Sequence, residues 1–323
     1  MYEVYNQWPE IAKNAFSSNL EEIESSDINH IVFVGMGGSG SIGSIFSSIL
    51  SKTSMHVSVV KGYLLPKTAD DKTLVITTSI SGNTIETLTV LDSARKAGCK
   101  ILACSSGGKM EQYCLKYKIE YRKIPFIHSP RASFTSFLYS MLKILHPIIP
   151  ISKNDIEESI IELEKLKKEI SSDNLKSNNP AIELAEWISN IPIIYYPAGL
   201  ESAAIRFKNS LQENSKMHAI TEDVVEVCHN GIVSWEQPNN ILPILVQGKD
   251  DYVKTIERWE IVKEFFESKN IKYKEVFSGE GTILTKLMRL IYLVDYSSIY
   301  RAVLSNIDPT PIESIEFVKR KIK

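Results

Sequence analysis

The chain has 323 residues, 43% of them hydrophobic and 24% charged, with a formal net charge of −2. This is the composition of a folded globular chain with room for two domains, and its near-neutral balance gives no electrostatic reason to expect nucleic acid or an anionic membrane as partner. No apolar run reaches bilayer-spanning length, and Met1-Tyr2-Glu3-Val4-Tyr5-Asn6 lacks the basic and apolar parts of a secretion signal. The four cysteines, Cys99, Cys104, Cys114 and Cys228, form no Cys-x-x-Cys and no Cys/His cluster with zinc spacing. Reduced thiols in a cytoplasmic, metal-free protein are therefore expected.

The elements alternate. Ile31-Val32-Phe33-Val34 is a β-branched run ending at glycines, and a helix is predicted from about Ser39 to Lys52. Short apolar runs follow at 56–60, 74–78 and 100–103. Between the last two, a helix from about Thr84 to Ala97 is stopped by Gly98 at its C′ position. A further strand falls near Tyr121 to Ile124. The stretch 152–179 reads as polar and helix-rich, with Ile156, Ile160, Leu163 and Leu166 on one face and a Ser/Asn-rich connection from Ser171 to Pro180. The second half repeats the plan. Strands are predicted at 191–196, 241–246 and 273–276, and helices at about 200–211, 251–268 and 282–306. Strands alternating with helices imply an α/β fold, with parallel sheets covered on both faces. The domain boundary is expected between 150 and 151.

Two loops carry chemistry. Gly35-Met36-Gly37-Gly38-Ser39-Gly40 joins a strand to a helix, so its backbone can approach an anion and the helix-start N–H groups can face it. Ser39 and Ser41 add hydroxyls. The same glycines fit Gly-x-Gly-x-x-Gly, which makes a dinucleotide-binding dehydrogenase a rival reading. The next strand, however, ends Val59-Val60-Lys61-Gly62, without the acidic residue that would hold a ribose. The second loop, Ser79-Ile80-Ser81-Gly82-Asn83-Thr84-Ile85-Glu86-Thr87, sets three hydroxyls around one glycine at a strand's end. Such a loop binds phosphate through neutral hydrogen bonds. Ser81 or Asn83 is equally suited to capping the helix that follows.

Together, the two loops resemble the sugar-isomerase (SIS) domain, which holds the phosphate of phosphosugars in its serine-rich loop. Length, the two α/β halves and the downstream residues most resemble the bifunctional phosphoglucose/phosphomannose isomerases of the phosphoglucose isomerase superfamily. The resemblance implies two flavodoxin-like SIS domains. Residues 1–150 would carry the phosphate loops (Gly37, Gly38, Ser39, Ser79, Ser81 and Thr84), and residues 151–323 the catalytic base and a C-terminal helix. It implies interconversion of glucose 6-phosphate and mannose 6-phosphate with fructose 6-phosphate through a cis-enediol, with no cofactor and no metal.

Four further residues acquire expected roles from this resemblance. Glu213, in Leu211-Gln212-Glu213-Asn214-Ser215-Lys216, matches the family's glutamate-centred motif and would be the base, partial burial raising its pKa to suit. His229, in Cys228-His229-Asn230-Gly231, would help open the sugar ring and reach into the partner's site of a homodimer; His218 is its competitor. Arg131, in Ser129-Pro130-Arg131-Ala132-Ser133, would face the enediolate, unless it is a surface arginine. Within the basic tail of Lys319, Arg320, Lys321 and Lys323, Ile315-Glu316-Phe317-Val318-Lys319 resembles a Val-Glu-x-x-Lys signature, and Lys319 would assist ring opening. Upstream of it, Thr310 in Asp308-Pro309-Thr310-Pro311 stands where larger relatives carry a glutamine. On this resemblance, a roomier pocket near Thr310 would allow the enediol to turn about C2–C3 and yield either aldose. Other readings stay open. A non-catalytic sugar-phosphate-binding regulator would keep the serine loop without Glu213, His229, Arg131 and Lys319. The isomerase half of an amidotransferase would be expected to follow a glutaminase domain.

Overall fold

The computed structural model describes the chain apart from residues 25, 26, 177 and 323, so Lys323 of the basic tail lies outside the described residues. Internal contacts divide the chain into an N-terminal unit, Glu3–Glu162 with Thr282–Thr285, and a C-terminal unit, Met1–Tyr2, Leu163–Gly281 and Lys286–Lys323.

The N-terminal part runs α1 (Tyr2–Asn6), α2 (Trp8–Phe16), β1 (His30–Val34), α3 (Gly37–Leu50), β2 (His56–Val60), β3 (Thr73–Ser79), α4 (Ile85–Lys96), β4 (Lys100–Ser105), α5 (Gly108–Tyr117), β5 (Glu120–Lys123) and α6 (Phe134–Leu145). Its five strands pair in parallel in the order β2-β1-β3-β4-β5. The central strands β1 and β3 are buried along their whole length, as a sheet covered on both faces requires. The helix α4 ends where predicted, with Gly98 just beyond Ala97 at φ +74°. The helix α6 was not foreseen. It is buried almost all round. Trp8 anchors α2 by donating its indole N–H to Ala132 O at 3.2 Å. All four cysteines are free thiols, and burial pushes that of Cys104 up to about 12.

The chain passes between units within α7 (Lys153–Ile170), whose predicted face of Ile156, Ile160, Leu163 and Leu166 is buried. The C-terminal elements are α8 (Pro180–Trp187), β6 (Pro192–Tyr196), α9 (Glu201–Asn214), β7 (Ile220–Asp223), α10 (Val224–Val227), a 3₁₀ turn at 231–236, β8 (Leu242–Gln247), α11 (Val253–Ser268), β9 (Lys274–Phe277), α12 (Ile283–Leu304) and α13 (Glu313–Lys321). The sheet is again parallel, in the order β7-β6-β8-β9. Its core gathers Tyr195, Trp235, Trp259 and Phe266, and the Trp235 indole donates to the Tyr195 hydroxyl at 2.9 Å.

Three differences from the predicted pattern have local causes. Helix α8, which was not predicted, begins at the end of the Ser/Asn-rich connection, after Asn179, whose side-chain Oδ1 accepts from Ala181 N and Ile182 N at 2.9 and 3.1 Å. The short strand β7, half-exposed along most of its length, joins the sheet edge. The helix α9 continues past Leu211 to Asn214 because its last turn is bonded to α12. Among the described residues no helix is long and apolar enough to cross a membrane.

Candidate active site

In a sheet ordered 2-1-3-4-5, the chain leaves β1 towards β2 and then crosses back to β3. The connections after β1 and β3 thus depart to opposite sides and leave a crevice at the C-terminal strand ends. Both glycine-containing loops lie there, the first after Val34 and the second after Ser79. The first opens α3, with Met36 extended at the N-cap and the start of the helix at Gly37. Ser39 is buried within this turn. Ser41 does not add a donor to the loop, because its hydroxyl bonds back to Gly37 O at 3.2 Å.

In the second loop the hydroxyls are ordered by one another. Ser79 and Thr84 share a hydrogen bond of 2.9 Å across the turn, and Ser81 stands exposed at the tip. The N-cap of α4 is Thr84, and neither Ser81 nor Asn83 caps that helix. Asn83 instead accepts from Lys109 N at 3.1 Å at the start of α5 and donates to Ser81 O at 3.0 Å. The neighbouring loop braces the turn further. Ser106 donates to Ile80 O at 2.6 Å, and Met110 N donates to Gly82 O at 2.9 Å. Gly82 has φ +68°, and a Cβ there would stand 1.7 Å from Gly107 O, so no other residue fits. The residues 79–84 contain no cation. An anion held here is held by hydroxyls and by the first-turn N–H groups of α4, which have no acceptor within the helix.

At the corresponding end of the C-terminal sheet, Asp251 follows β8 and is bonded within its own turn. Asp251 accepts from Gly248 N at 3.1 Å and from the Trp259 indole at 3.0 Å. Burial raises its pKa above the usual carboxylate range, and its bonds to Trp259 and Gly248 oppose the shift.

Arg131 lies in the same unit, between β5 and α6, and is only 5% exposed. The surface-arginine alternative therefore fails. Ser133 holds the segment around it, accepting from Ile127 N at 2.8 Å and donating to Ser129 O at 2.9 Å.

Glu213 and Thr310 belong to the C-terminal unit. Glu213 is half-buried on the last turn of α9. That helix is fixed lengthwise by a buried polar seam against α12. Arg206 donates to both oxygens of Asp295, Nε at 3.1 and 3.2 Å and Nη2 at 2.6 Å, and Ser210 donates to the same carboxylate. Asn214 donates to the Ser298 hydroxyl at 2.8 Å and Ser215 to Ser298 O at 2.6 Å. Just beyond, Lys216 donates to Glu213 O at 2.5 Å and to Pro311 O at 2.7 Å, so Glu213 and the Thr310 turn are brought together. His229 is exposed in the turn after α10, where Asn230 donates to Glu226 Oε1 at 2.7 Å. Lys319 is exposed on α13, a helix with no buried residue; its neighbour Lys321 lies over the Phe317 ring. The competitor His218 is exposed as well. The seam, Lys216 and Asp251 had no predicted role. Asp308, placed two residues before Thr310, carried the only local signal of a side-chain-stabilised turn. Among the described residues no group of three His, Cys, Asp or Glu side chains is placed to hold a metal.

Two parallel-sheet units, the first with a hydroxyl-lined glycine loop at its switch point, define a protein of the SIS class. Residues 25–154 match the family described as SIS domain, and residues 177–322 match the bacterial phospho-glucose isomerase C-terminal SIS domain. The C-terminal domain of glucosamine-fructose-6-phosphate aminotransferase from Francisella tularensis shares the fold with a TM-score of 0.68 at 17% identity, covering 95% of this chain and 98% of that one. The bifunctional phosphoglucose/phosphomannose isomerase of Caldicellulosiruptor bescii is 33% identical, over 100% of this chain and 98% of that one. Its namesake from Aquifex aeolicus is 31% identical, over 99% and 96%. The chain belongs to the family of bifunctional phosphoglucose/phosphomannose isomerases.

Proposed function

We propose that the chain interconverts glucose 6-phosphate and mannose 6-phosphate with fructose 6-phosphate, as a cytoplasmic homodimer whose two working domains are residues 1–150 and 151–323. The observation that carries the reading is the braced serine loop at the N-terminal switch point, in a chain alike over its whole length to relatives named for that activity.

Gly37, Gly38, Ser39, Ser79, Ser81 and Thr84 hold the 6-phosphate. His229, reaching across the dimer, and Lys319 pass the protons that open the ring. In the open-chain aldose the Glu213 carboxylate takes the proton from C2. The C–H electron pair becomes the C1–C2 double bond, and O1 takes up a proton. The enediol then gives up the proton on O2, and Glu213 returns a proton to C1, leaving a carbonyl at C2. Arg131 stabilises the negative charge that develops on the enediolate oxygens. Substrate and product are at the same oxidation level, so no redox carrier is needed. Glucose and mannose 6-phosphate share this enediol. Room beside Thr310 for rotation about C2–C3 presents either face to one glutamate.

The test starts from fructose 6-phosphate and follows both aldoses. The expected result is that both appear, and that Glu213→Gln lowers kcat by about 10²–10⁴ while phosphosugar binding persists. Formation of neither aldose by the wild-type protein would refute the reading, and C2 hydrogen exchange retained by Glu213→Gln would remove Glu213 as the base.

A further inference from the structure

Lys216 ends α9 in the left-handed region, at φ +55°. That position of a helix end favours glycine or asparagine, and a lysine gains nothing there from its backbone. Its side chain has to supply the reason. The bond from its ammonium to Glu213 O is ordinary, a cation closing the negative end of its own helix. The bond to Pro311 O is not, because its acceptor lies 95 residues further along the chain. At the far end of that bond is a turn with its own lock. Asp308 accepts from Thr310 N at 2.8 Å. Bonds from the Thr310 backbone and hydroxyl, with the charge of Lys216 adding to them, hold its carboxyl below the usual range. Lys216 and Thr310 are both exposed, so neither is placed by burial in a core. The ammonium links the end of the Glu213 helix to the segment that carries Thr310.

We infer that Lys216 is a positioning residue: it straps the 308–311 turn to the end of α9 and thereby sets the room beside Glu213 in which the enediol chooses between its two faces. This rests on the isomerase reading above. Freeing the turn lets Thr310 move away from Glu213 without altering either side chain. The mixture of glucose 6-phosphate and mannose 6-phosphate made from fructose 6-phosphate then changes, while phosphate binding at the serine loop does not.

Lys216→Met keeps the stem and removes the charge; Lys216→Arg restores a cation able to reach both carbonyls. Each full-length protein is assayed for initial rates of both aldoses from fructose 6-phosphate and for amide hydrogen exchange over residues 305–313. In Lys216→Met, exchange over 308–312 is expected to quicken about tenfold, the loss of one charge-assisted bond. The ratio of the two aldoses should shift at least about threefold, with KM nearly constant, and Lys216→Arg should restore both. Unchanged exchange in Lys216→Met would overturn the strap. Faster exchange with an unchanged product ratio would overturn its hold on specificity. A wild-type protein forming neither aldose would sink the isomerase reading itself, and the exchange measurement would still decide whether the strap exists.

Discussion

Asp295→Ala is expected to destabilise the C-terminal unit by about 3–5 kcal/mol, the cost of leaving a buried charge without its partner. Arg206 and Asp295 have side-chain exposures of 4% and 0%. Water therefore cannot replace the three guanidinium bonds that the alanine removes, and Ser210 loses its acceptor as well. Since a domain holds about 5–15 kcal/mol in all, a fifth or more of the stability is at stake. Three of the four tryptophans, Trp187, Trp235 and Trp259, lie in this unit, so urea unfolding followed by tryptophan fluorescence reads it directly. The paired change Arg206→Met with Asp295→Leu removes both charges and fills the space with apolar atoms. It should recover most of the loss, as uncharged replacements of buried pairs do. A loss below about 1 kcal/mol in Asp295→Ala, the range of exposed pairs, would show that water reaches the seam and would refute the argument from burial.

Two other outcomes follow from the structure. Gly82→Ala must relieve a Cβ placed 1.7 Å from Gly107 O at φ +68°; strain of about 1–3 kcal/mol in the bound loop should weaken hexose-phosphate binding about 5–150-fold by calorimetry, with little change in the far-ultraviolet spectrum. His30 is buried beside His56, with its Nε2 2.9 Å from the Ser58 hydroxyl. Burial first and the charge of His56 second lower its pKa, against an opposing pull from Asp70. The unfolded chain then binds this proton more readily than the folded one. Stability is full above the ordinary histidine value of about 6.5 and falls as the pH drops through it towards the folded value. His30→Gln should flatten that acid limb in urea midpoints measured between pH 7.5 and 5.5, and an unchanged limb would remove His30 as its source.

The alternation of strands and helices was legible because each central strand is a short β-branched run closed by glycine or a polar turn, as at Val34-Gly35 and Thr78-Ser79. The two glycine-containing loops at the ends of β1 and β3 were legible for the same local reason. What escaped is set by distant partners. The last turn of α9 is held by Ser298, more than eighty residues away, so nothing near Leu211 announces its extension. The segment Ile220-Thr221-Glu222-Asp223 has no apolar face of its own and becomes a strand only by pairing with β6. In contrast, Asn179-Pro180 carried the signal for α8, an N-cap followed by proline at the first helical position, inside a stretch whose serines and asparagines read as linker. The pairing of Lys216 with Pro311 is invisible in either segment alone.

The serine loop keeps its form through the Ser79–Thr84 bond, the bracing by Ser106 and Asn83, and the fit of Gly82 against Gly107. If the loop takes the 6-phosphate as proposed, little chain freedom is left for it to freeze, and docking gives up little entropy on the protein side. Capture at this end of the sugar should then be governed by how fast the ligand diffuses in, and any slow, temperature-sensitive step must arise where the opposite end of the molecule is handled.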